Sequence, residues 1–211
     1  KVVERFRAEG AEVLFTGRRA ALGDDIAETT GAIFLVADAG DEADAERTIS
    51  ETLDRHGRID ILMNNAGGPA PGGRLETLSL ERFDEAVRVH VRGALAHIKH
   101  AAPAMRARGA GSIINVGSVA GHRSGYSSSL SYAVAKAAVI HMTRCAAMEL
   151  GEDGVRVNSI SPGGIATGIF AKSLGMETAE ADRTVEQVKT ALANLQAVPR
   201  AGVTDDIAAA A

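Results

Sequence analysis

The sequence of 211 residues has few cysteines and aromatic residues, and it has no excess of basic charge. Its one cysteine, Cys145, excludes an intrachain disulfide and a cysteine-based metal site, and it is typical of a protein from the reducing cytoplasm. The net charge of −4 leaves no basic face for a nucleic acid. No apolar run reaches the length of a membrane span, and no signal-peptide pattern is recognisable. We therefore expect a cytoplasmic protein that binds no metal ion, nucleic acid or membrane.

Short aliphatic runs alternate with longer segments of helical period along the chain. The predicted strands cover residues 13–16, 32–36, 59–63, 112–116 and 155–160, and the predicted helices cover residues 20–30, 41–56, 79–108 and 130–150. The strands are nearly continuous apolar runs, as in a parallel sheet that is covered on both faces. This order predicts an α/β fold in which a doubly wound parallel sheet forms a single domain over residues 1–211.

Ser118, Tyr132 and Lys136 are the candidate catalytic residues. Tyr132 is one of two tyrosines, and Lys136 lies four residues later, on the same face of a predicted helix. An ammonium beside a phenol stabilises the phenolate and lowers its pKa, which would make Tyr132 a general base or acid. Ser118 follows a predicted strand, at the edge where ligands bind in open α/β sheets. Considered alone, Tyr132 and Lys136 could also be two side chains on a helix surface whose polar ends are solvated. Ser118 alone could also be a residue of a turn without a catalytic role.

Four short motifs occur in the order and spacing of one known family: NNAG at 64–67, NVGS at 115–118, Tyr132 with Lys136, and Pro162 and Gly163 with Thr167. Together they resemble the short-chain dehydrogenase/reductase (SDR) family over essentially the whole chain. The resemblance implies a Rossmann-type fold and hydride transfer between NAD(P) and a secondary alcohol or ketone. It also implies proton transfer by Tyr132, substrate orientation by Ser118, and contact of Lys136 with the nicotinamide ribose. The cofactor-binding positions that it implies are Asp38, Asn64, Ala66, Gly67, Tyr132, Lys136, Pro162, Gly163, Ile165 and Thr167.

The residues after the first predicted strand bear on the choice of cofactor. SDR members that prefer NAD carry an acid there, which binds the ribose hydroxyls. This chain has Gly17, Arg18 and Arg19 instead, and two guanidiniums can bind a ribose phosphate. We therefore expect NADP or NAD, with a slight preference for NADP. The open alternative is that both arginines are solvated or stack on adenine. For Asp38, a helix N-cap is the structural alternative.

Two features depart from the family pattern. The glycine-rich phosphate loop TGxxxGxG is absent, while residues 1–10 resemble the helix that follows it and residues 204–208 resemble the start of another helix. We expect the first and last strands to lie outside these 211 residues, the first of them between strands 13–16 and 59–63. His90 stands where the family has an asparagine whose carbonyl holds a water in the proton path. We interpret His90 as a buried histidine with satisfied nitrogens, and relay participation or impaired turnover are the alternatives.

Residues 163–200 interrupt the strand–helix alternation, and we interpret them as a substrate lid. Their two ends resemble SDR members that act on cyclic secondary alcohols. The resemblance therefore implies a small hydrophobic or cyclic alcohol or ketone as the substrate. The alternatives are a 3-oxoacyl carrier-protein reductase and a catalytically impaired homologue that keeps the cofactor.

The predicted helices 79–108 and 130–150 also indicate self-association. On the first, Leu95 is expected on the inward face, and Ala96 and Ala104 on the outward face. Small outward residues allow close helix approach, and the family commonly pairs these two helices with their symmetry mates. We therefore expect a homotetramer, or at least a homodimer.

Overall fold

The computed structural model describes residues 1–70, 72–127, 129–169, 171, 176, 180, 182–193, 196 and 198–211. The strands in this part are β1 (Leu14–Gly17), β2 (Ile33–Val36), β3 (Ile61–Asn64), β4 (Gly111–Val116) and β5 (Val155–Ile160). The α-helices in the same part are α1 (Val2–Ala8), α2 (Ala20–Thr30), α3 (Glu42–His56), α4 (Leu80–Val87), α5 (Gly93–Arg108), α6 (Leu130–Leu150), α7 (Val185–Leu192) and α8 (Thr204–Ala210). All the strand pairs are parallel, so the predicted α/β class is confirmed.

The strands form two separate parallel sheets, in the orders β1-β2 and β3-β4-β5. A cleft of about 680 Å³ lies between them, lined by β1 residues such as Phe15, β3 residues such as Leu62, and His97 of α5. Within the described ranges, no strand pairs with β1 or β3 across this cleft. The cleft lies where the sequence predicts one further strand, and that strand stays a prediction.

The main hydrophobic core lies between the three-stranded sheet and helices α3, α5 and α6. Its buried side chains are Ile49, Ile59, Ile98, Ala101, Ala102, Met105, Ile113, Leu150, Val155 and Val157. Burial of one large apolar side chain contributes about 1.5–3 kcal/mol, so this cluster anchors the sheet firmly. The carboxyl ends of β3, β4 and β5 are therefore carried on a rigid base.

The segment predicted as one helix over 79–108 is interrupted. A π-helical turn, Arg88–Arg92, separates α4 from α5. A π turn inserts one residue into the α-helical pattern, so the residues after it face a different direction from the one that regular periodicity predicts. The expected faces were accordingly wrong at two positions: Leu95 is 51% exposed and Ala96 is buried.

Part of the predicted lid over 163–200 lies outside the described residues, at 170, 172–175, 177–179, 181, 194, 195 and 197. The described part contains a short 3₁₀ helix, Asp182–Thr184, followed by α7. Ile165 forms an isolated parallel bridge with Gly202, which joins the two ends of the segment. In the part of the chain that the structure covers, no helix has both the length and the apolar character needed to cross a bilayer.

Candidate active site

Asn64 and Asn115 join the carboxyl ends of β3 and β4, where they are partners in the register of the two strands. The Asn64 Nδ2 donates to Asn115 Oδ1 at 2.8 Å, and the Asn115 Nδ2 donates to Thr143 Oγ1 of α6 at 3.0 Å. Asn115 is fully buried, and its bonds satisfy an amide that would otherwise be costly to enclose. The side chain of Asn64 thus joins the ends of β3 and β4, and that of Asn115 joins β4 to α6, roles that the sequence did not indicate.

Ser118, Tyr132 and Lys136 come together beside the end of β4. The hydroxyl of Ser129 caps α6 by accepting from Tyr132 N at 3.2 Å, so Tyr132 lies in the first helical turn. Lys136 lies one turn later, with Nζ 5.7 Å from the centre of the Tyr132 ring, and this Nζ donates to Val116 O at 2.6 Å. Ser118 is the second residue after this strand and forms a side-chain hydrogen bond with Tyr132. The structure therefore brings the three candidate catalytic residues into one cluster.

The pKa of Tyr132 does not shift in the direction that the sequence suggested. Burial raises the pKa of the phenol above its usual value of 10.0, and the hydrogen bond with Ser118 opposes this rise only in part. Burial also lowers the pKa of Lys136 to about 8. The expectation of a lowered phenol pKa was wrong for this structure, because the Lys136 Nζ bonds a backbone carbonyl and burial dominates. At neutral pH, Tyr132 therefore holds its proton.

His90 lies in the π-helical turn and packs against Tyr132. The two rings meet edge to face, with centroids 5.5 Å apart and an interplanar angle of 89°. The His90 Nε2 lies 3.0 Å from Gly68 O, whereas the buried Nδ1 has no hydrogen-bond partner among the described residues. The expected burial is confirmed, but the expectation of two satisfied nitrogens was wrong. Burial, aided by the charge of Lys136, lowers the pKa of His90 to about 4, so the ring is neutral at pH 7.

The glycine pair Gly67 and Gly68 follows β3 and contacts His90. A Cβ added at Gly67 would lie 2.5 Å from His90 Cε1, so the closeness of the ring requires glycine there. A Cβ at Gly68 would meet nothing within 4 Å. Ala66 and Gly67 are exposed, so their backbone is open to a ligand. The NNAG motif thus combines an exposed surface with a contact to the histidine beside Tyr132.

Gly17, Arg18 and Arg19 end β1 and begin α2, with both arginines exposed. Among the described residues, neither guanidinium has a hydrogen-bond partner, but the charge of Arg18 acts on Asp38. This group of residues lies at the carboxyl edge of the β1-β2 sheet, separate from the Tyr132 cluster. It can therefore meet the other end of an extended ligand.

Asp38 follows β2 and is held by two hydrogen bonds. Its carboxylate accepts from Gly40 N and from Arg88 Nη2, each at 2.9 Å. Burial alone would raise the pKa of Asp38, but the Gly40 and Arg88 bonds and the charge of Arg18 outweigh it, so the pKa is lowered. The N-cap alternative for Asp38 was wrong, because Asp41 caps α3 by accepting from Ala43 N and Asp44 N.

The loop after β5 contains Pro162, Gly163, Ile165 and Thr167. The Pro162 O accepts from Val119 N at 3.0 Å, which ties this loop to the segment after Ser118. The Thr167 Oγ1 accepts from Ile169 N at 3.5 Å, so it stabilises its own turn.

Gln196 fastens the same loop from the far side. Its Oε1 accepts from Gly164 N at 3.1 Å, and its Nε2 donates to Gly164 O at 3.0 Å. The contact spans 32 residues of chain, and no spacing motif signalled it.

The hydrogen-bond donors at the carboxyl ends of the strands suit a dinucleotide ligand. Exposed backbone at Ala66 and Gly67 permits close approach, the Lys136 ammonium lies at one end, and Arg18 and Arg19 lie at the other. Cations at separated positions suit a ligand with ribose hydroxyls at one end and a phosphate at the other. Among the described residues, no three or more His, Cys, Asp or Glu side chains form a group that could hold a metal ion.

Comparison with known proteins identifies the family. A family model described as enoyl-(acyl carrier protein) reductase matches residues 1–211. Short-chain dehydrogenase reductase 4 of Arabidopsis thaliana is 37% identical over 202 residues, which cover 94% of this chain and 66% of that protein. The chain belongs to the short-chain dehydrogenase/reductase family. It spans 66% and 64% of the length of two such Arabidopsis relatives.

Solved structures share the fold over nearly the whole chain. A crystal structure of levodione reductase is 30% identical with a TM-score of 0.83, over 99% of this chain and 82% of that one. A crystal structure named as a ribose-5-phosphate isomerase from Brucella melitensis 16M is 30% identical with a TM-score of 0.87, over 99% of this chain and 77% of that one. The names differ although the fold is shared, so the chemistry of this chain must be argued from its site.

Proposed function

We propose that this chain is the greater part of an oxidoreductase that transfers a hydride between a nicotinamide cofactor and a secondary alcohol or ketone. The observation that carries the proposal is the cluster of Ser118, Tyr132 and Lys136, in which a partly buried phenol, a hydroxyl and an ammonium lie together. The bound nicotinamide would supply or accept the hydride. What remains for the protein is to orient the oxygen of the substrate and to move one proton.

Tyr132 is the proton-transferring group in this proposal. A phenol that holds its proton at neutral pH can donate it to the oxygen of a ketone during reduction. In the reverse direction the phenol must lose this proton, and the nearby Lys136 ammonium stabilises the phenolate. Ser118 already bonds the phenol, so its hydroxyl can hold the substrate oxygen beside Tyr132. These three roles are the ones that the family resemblance implies.

We further propose NADP as the preferred cofactor, with NAD as the alternative. The support is the pair of exposed guanidiniums at Arg18 and Arg19, which are free to bind a ribose phosphate. Gly17 beside them leaves the backbone accessible at the end of β1. The remaining positions that we assign to the cofactor are Asp38, Asn64, Ala66, Gly67, Lys136, Pro162, Gly163, Ile165 and Thr167.

For the substrate we propose a small hydrophobic or cyclic alcohol or ketone, with residues 163–200 as its lid. The support is the resemblance of the two ends of the segment to members that act on cyclic alcohols. Gln196 and the Ile165–Gly202 bridge join this segment to the loop after β5, so movement of the lid would reach the cofactor side of the site. A panel of cyclic ketones and carrier-protein thioesters, tested with NADPH and NADH, separates this substrate class from a 3-oxoacyl carrier-protein reductase.

Tyr132→Phe tests the activity directly. We expect turnover to fall by about 10²-fold or more while cofactor affinity is kept, because only the transferable proton is removed. Tyr126→Phe is the matched control, since Tyr126 is the other tyrosine and is 56% exposed. Steady-state kinetics and cofactor fluorescence titration give the two quantities. Near-wild-type turnover of Tyr132→Phe, with chemistry rate-limiting, would refute the proposal.

A further inference from the structure

His90 makes two contacts that join separate parts of the site. Its Nε2 bonds Gly68 O at 3.0 Å, and its ring meets the Tyr132 ring edge to face. The residue itself is 5% exposed and lies in the π-helical turn between α4 and α5. One side chain therefore contacts both the glycine pair after β3 and the proposed proton donor on α6.

The hydrogen bond defines the state of the ring. A carbonyl oxygen only accepts, so the His90 Nε2 carries the hydrogen and donates it to Gly68 O. The neutral ring then leaves Nδ1 as an acceptor, and this atom is enclosed without a donor among the described residues. The charge of the Lys136 ammonium disfavours a second proton on the ring. A neutral ring in this state packs against Tyr132 and bonds Gly68, and it does not transfer protons.

We propose that His90 is a positioning residue that fixes the Tyr132 ring relative to the Gly67–Gly68 loop. Its donor holds the loop through Gly68 O, and its ring packs edge to face with the phenol ring. The space that the ring fills is also the space that a side chain at Gly67 would need. This inference rests on the proposed function, because the proposed function assigns cofactor contact to the Gly67–Gly68 loop and proton transfer to Tyr132.

The first test needs no turnover. These 211 residues contain two tyrosines and no tryptophan, so in the 211-residue chain that carries Tyr126→Phe the absorbance of tyrosinate reports Tyr132 alone. In that background we expect His90→Asn to move the Tyr132 pKa down towards 10.0, because loss of the ring hydrates a phenol whose pKa burial has raised. The control is His97→Asn, since His97 is also buried, bonds a backbone carbonyl of its own helix at 2.8 Å and lines the cleft between the sheets. An equal Tyr132 pKa in the His90 variant and the control would overturn the proposal.

The second test separates the two contacts. His90→Phe keeps an aromatic ring and loses the donor, so we expect cofactor affinity to fall about two- to tenfold, the range that corresponds to the net contribution of one hydrogen bond. His90→Gln keeps a donor and loses the ring, so we expect kcat to fall more than cofactor affinity. His97→Phe, the control, should change neither cofactor affinity nor kcat. If the two His90 variants behave identically, the positioning role is wrong.

The outcomes also separate this inference from the function on which it rests. Wild-type protein that binds the cofactor but reduces no ketone would refute the proposed activity. The Tyr132 titration and the cofactor affinities would still decide whether His90 holds the ring and the loop. If both His90→Phe and His90→Gln instead lost turnover together and acquired a new pH dependence, His90 would be a proton relay and the positioning role would be overturned.

Discussion

Gly67→Ala is the substitution for which the structure makes the most specific prediction. The new Cβ would lie 2.5 Å from His90 Cε1, about 0.9 Å inside the 3.4 Å at which ordinary contact begins. Gly67 is not among the glycines with positive φ, so the backbone itself tolerates alanine and the conflict is steric. Either the loop or the His90 ring must move.

The expected cost follows from this overlap. Forcing one extra methyl group into a packed site costs about 1–3 kcal/mol, and the ring of His90 also packs against Tyr132. We therefore expect Gly67→Ala to lower the free energy of unfolding by about 1–3 kcal/mol. It should also weaken cofactor binding, because the displaced loop is the one that we assign to the cofactor.

Gly68→Ala is the matched control, because the same methyl group there meets nothing within 4 Å. At such a site, Gly→Ala changes stability by less than about 1 kcal/mol, with stabilisation the usual direction. The assay is urea unfolding of both variants in the wild-type and His90→Ala backgrounds. In the His90→Ala background we expect the penalty of Gly67→Ala to disappear, a coupling of about 1–3 kcal/mol. Equal penalties for the two glycines, or no coupling with His90, would refute the reasoning.

Three further predictions concern cofactor choice, pH and assembly. Arg18→Ala should raise the KM for NADPH at least about tenfold more than that for NADH, since a charged hydrogen bond contributes about 1.5–3 kcal/mol; equal changes would contradict the NADP preference. The pKa of His90 lies near 4 in the folded protein, against an ordinary value of 6.5. Between these values the unfolded chain binds a proton that the folded chain does not, so the free energy of unfolding decreases as the pH falls from 6.5 towards 4. His90 should contribute about 3 kcal/mol of the loss measured in urea titrations, so the loss should be smaller by about that amount in His90→Phe; an unchanged pH profile in that variant would count against it. We expect a homotetramer or homodimer, because α5 and α6 expose Leu95, Val134 and Met148, and a monomer mass in light scattering at micromolar concentration would exclude both.

Local patterns were sufficient where the structure depends on near neighbours in the chain. The bounds of α6, Leu130–Leu150, agree with the sequence prediction, since its cap Ser129 is adjacent to the helix. The spacing of Tyr132 and Lys136 places them on one face by helix geometry alone. The strand that leads to Ser118 was likewise predicted within one residue, at Gly111–Val116. The family and its candidate catalytic residues therefore followed from short segments.

Other features depended on contacts between distant segments. The π turn at Arg88–Arg92 reversed the expected positions of Leu95 and Ala96, and nothing in the periodicity marks the inserted residue. The turn lies just before Gly93, which packs so closely on Ala39 that a Cβ there would lie 2.3 Å from its carbonyl oxygen. That contact joins residues far apart in the chain, so the periodicity of the local sequence does not reveal it.

The electrostatics of the site were decided in the same way. Spacing placed an ammonium near Tyr132 and suggested a lowered pKa, but the sequence carries no measure of how far the phenol is buried. In the folded chain burial raises that pKa, while Val116 O takes the hydrogen bond of Lys136. His90 likewise owes its tautomer to Gly68, 22 residues away, and its neutrality to enclosure beside Tyr132. Sequence alone therefore determined which chemical groups are present and their order along helices and strands. Tertiary structure decided their protonation and contacts, because desolvation depends on everything that packs around a group.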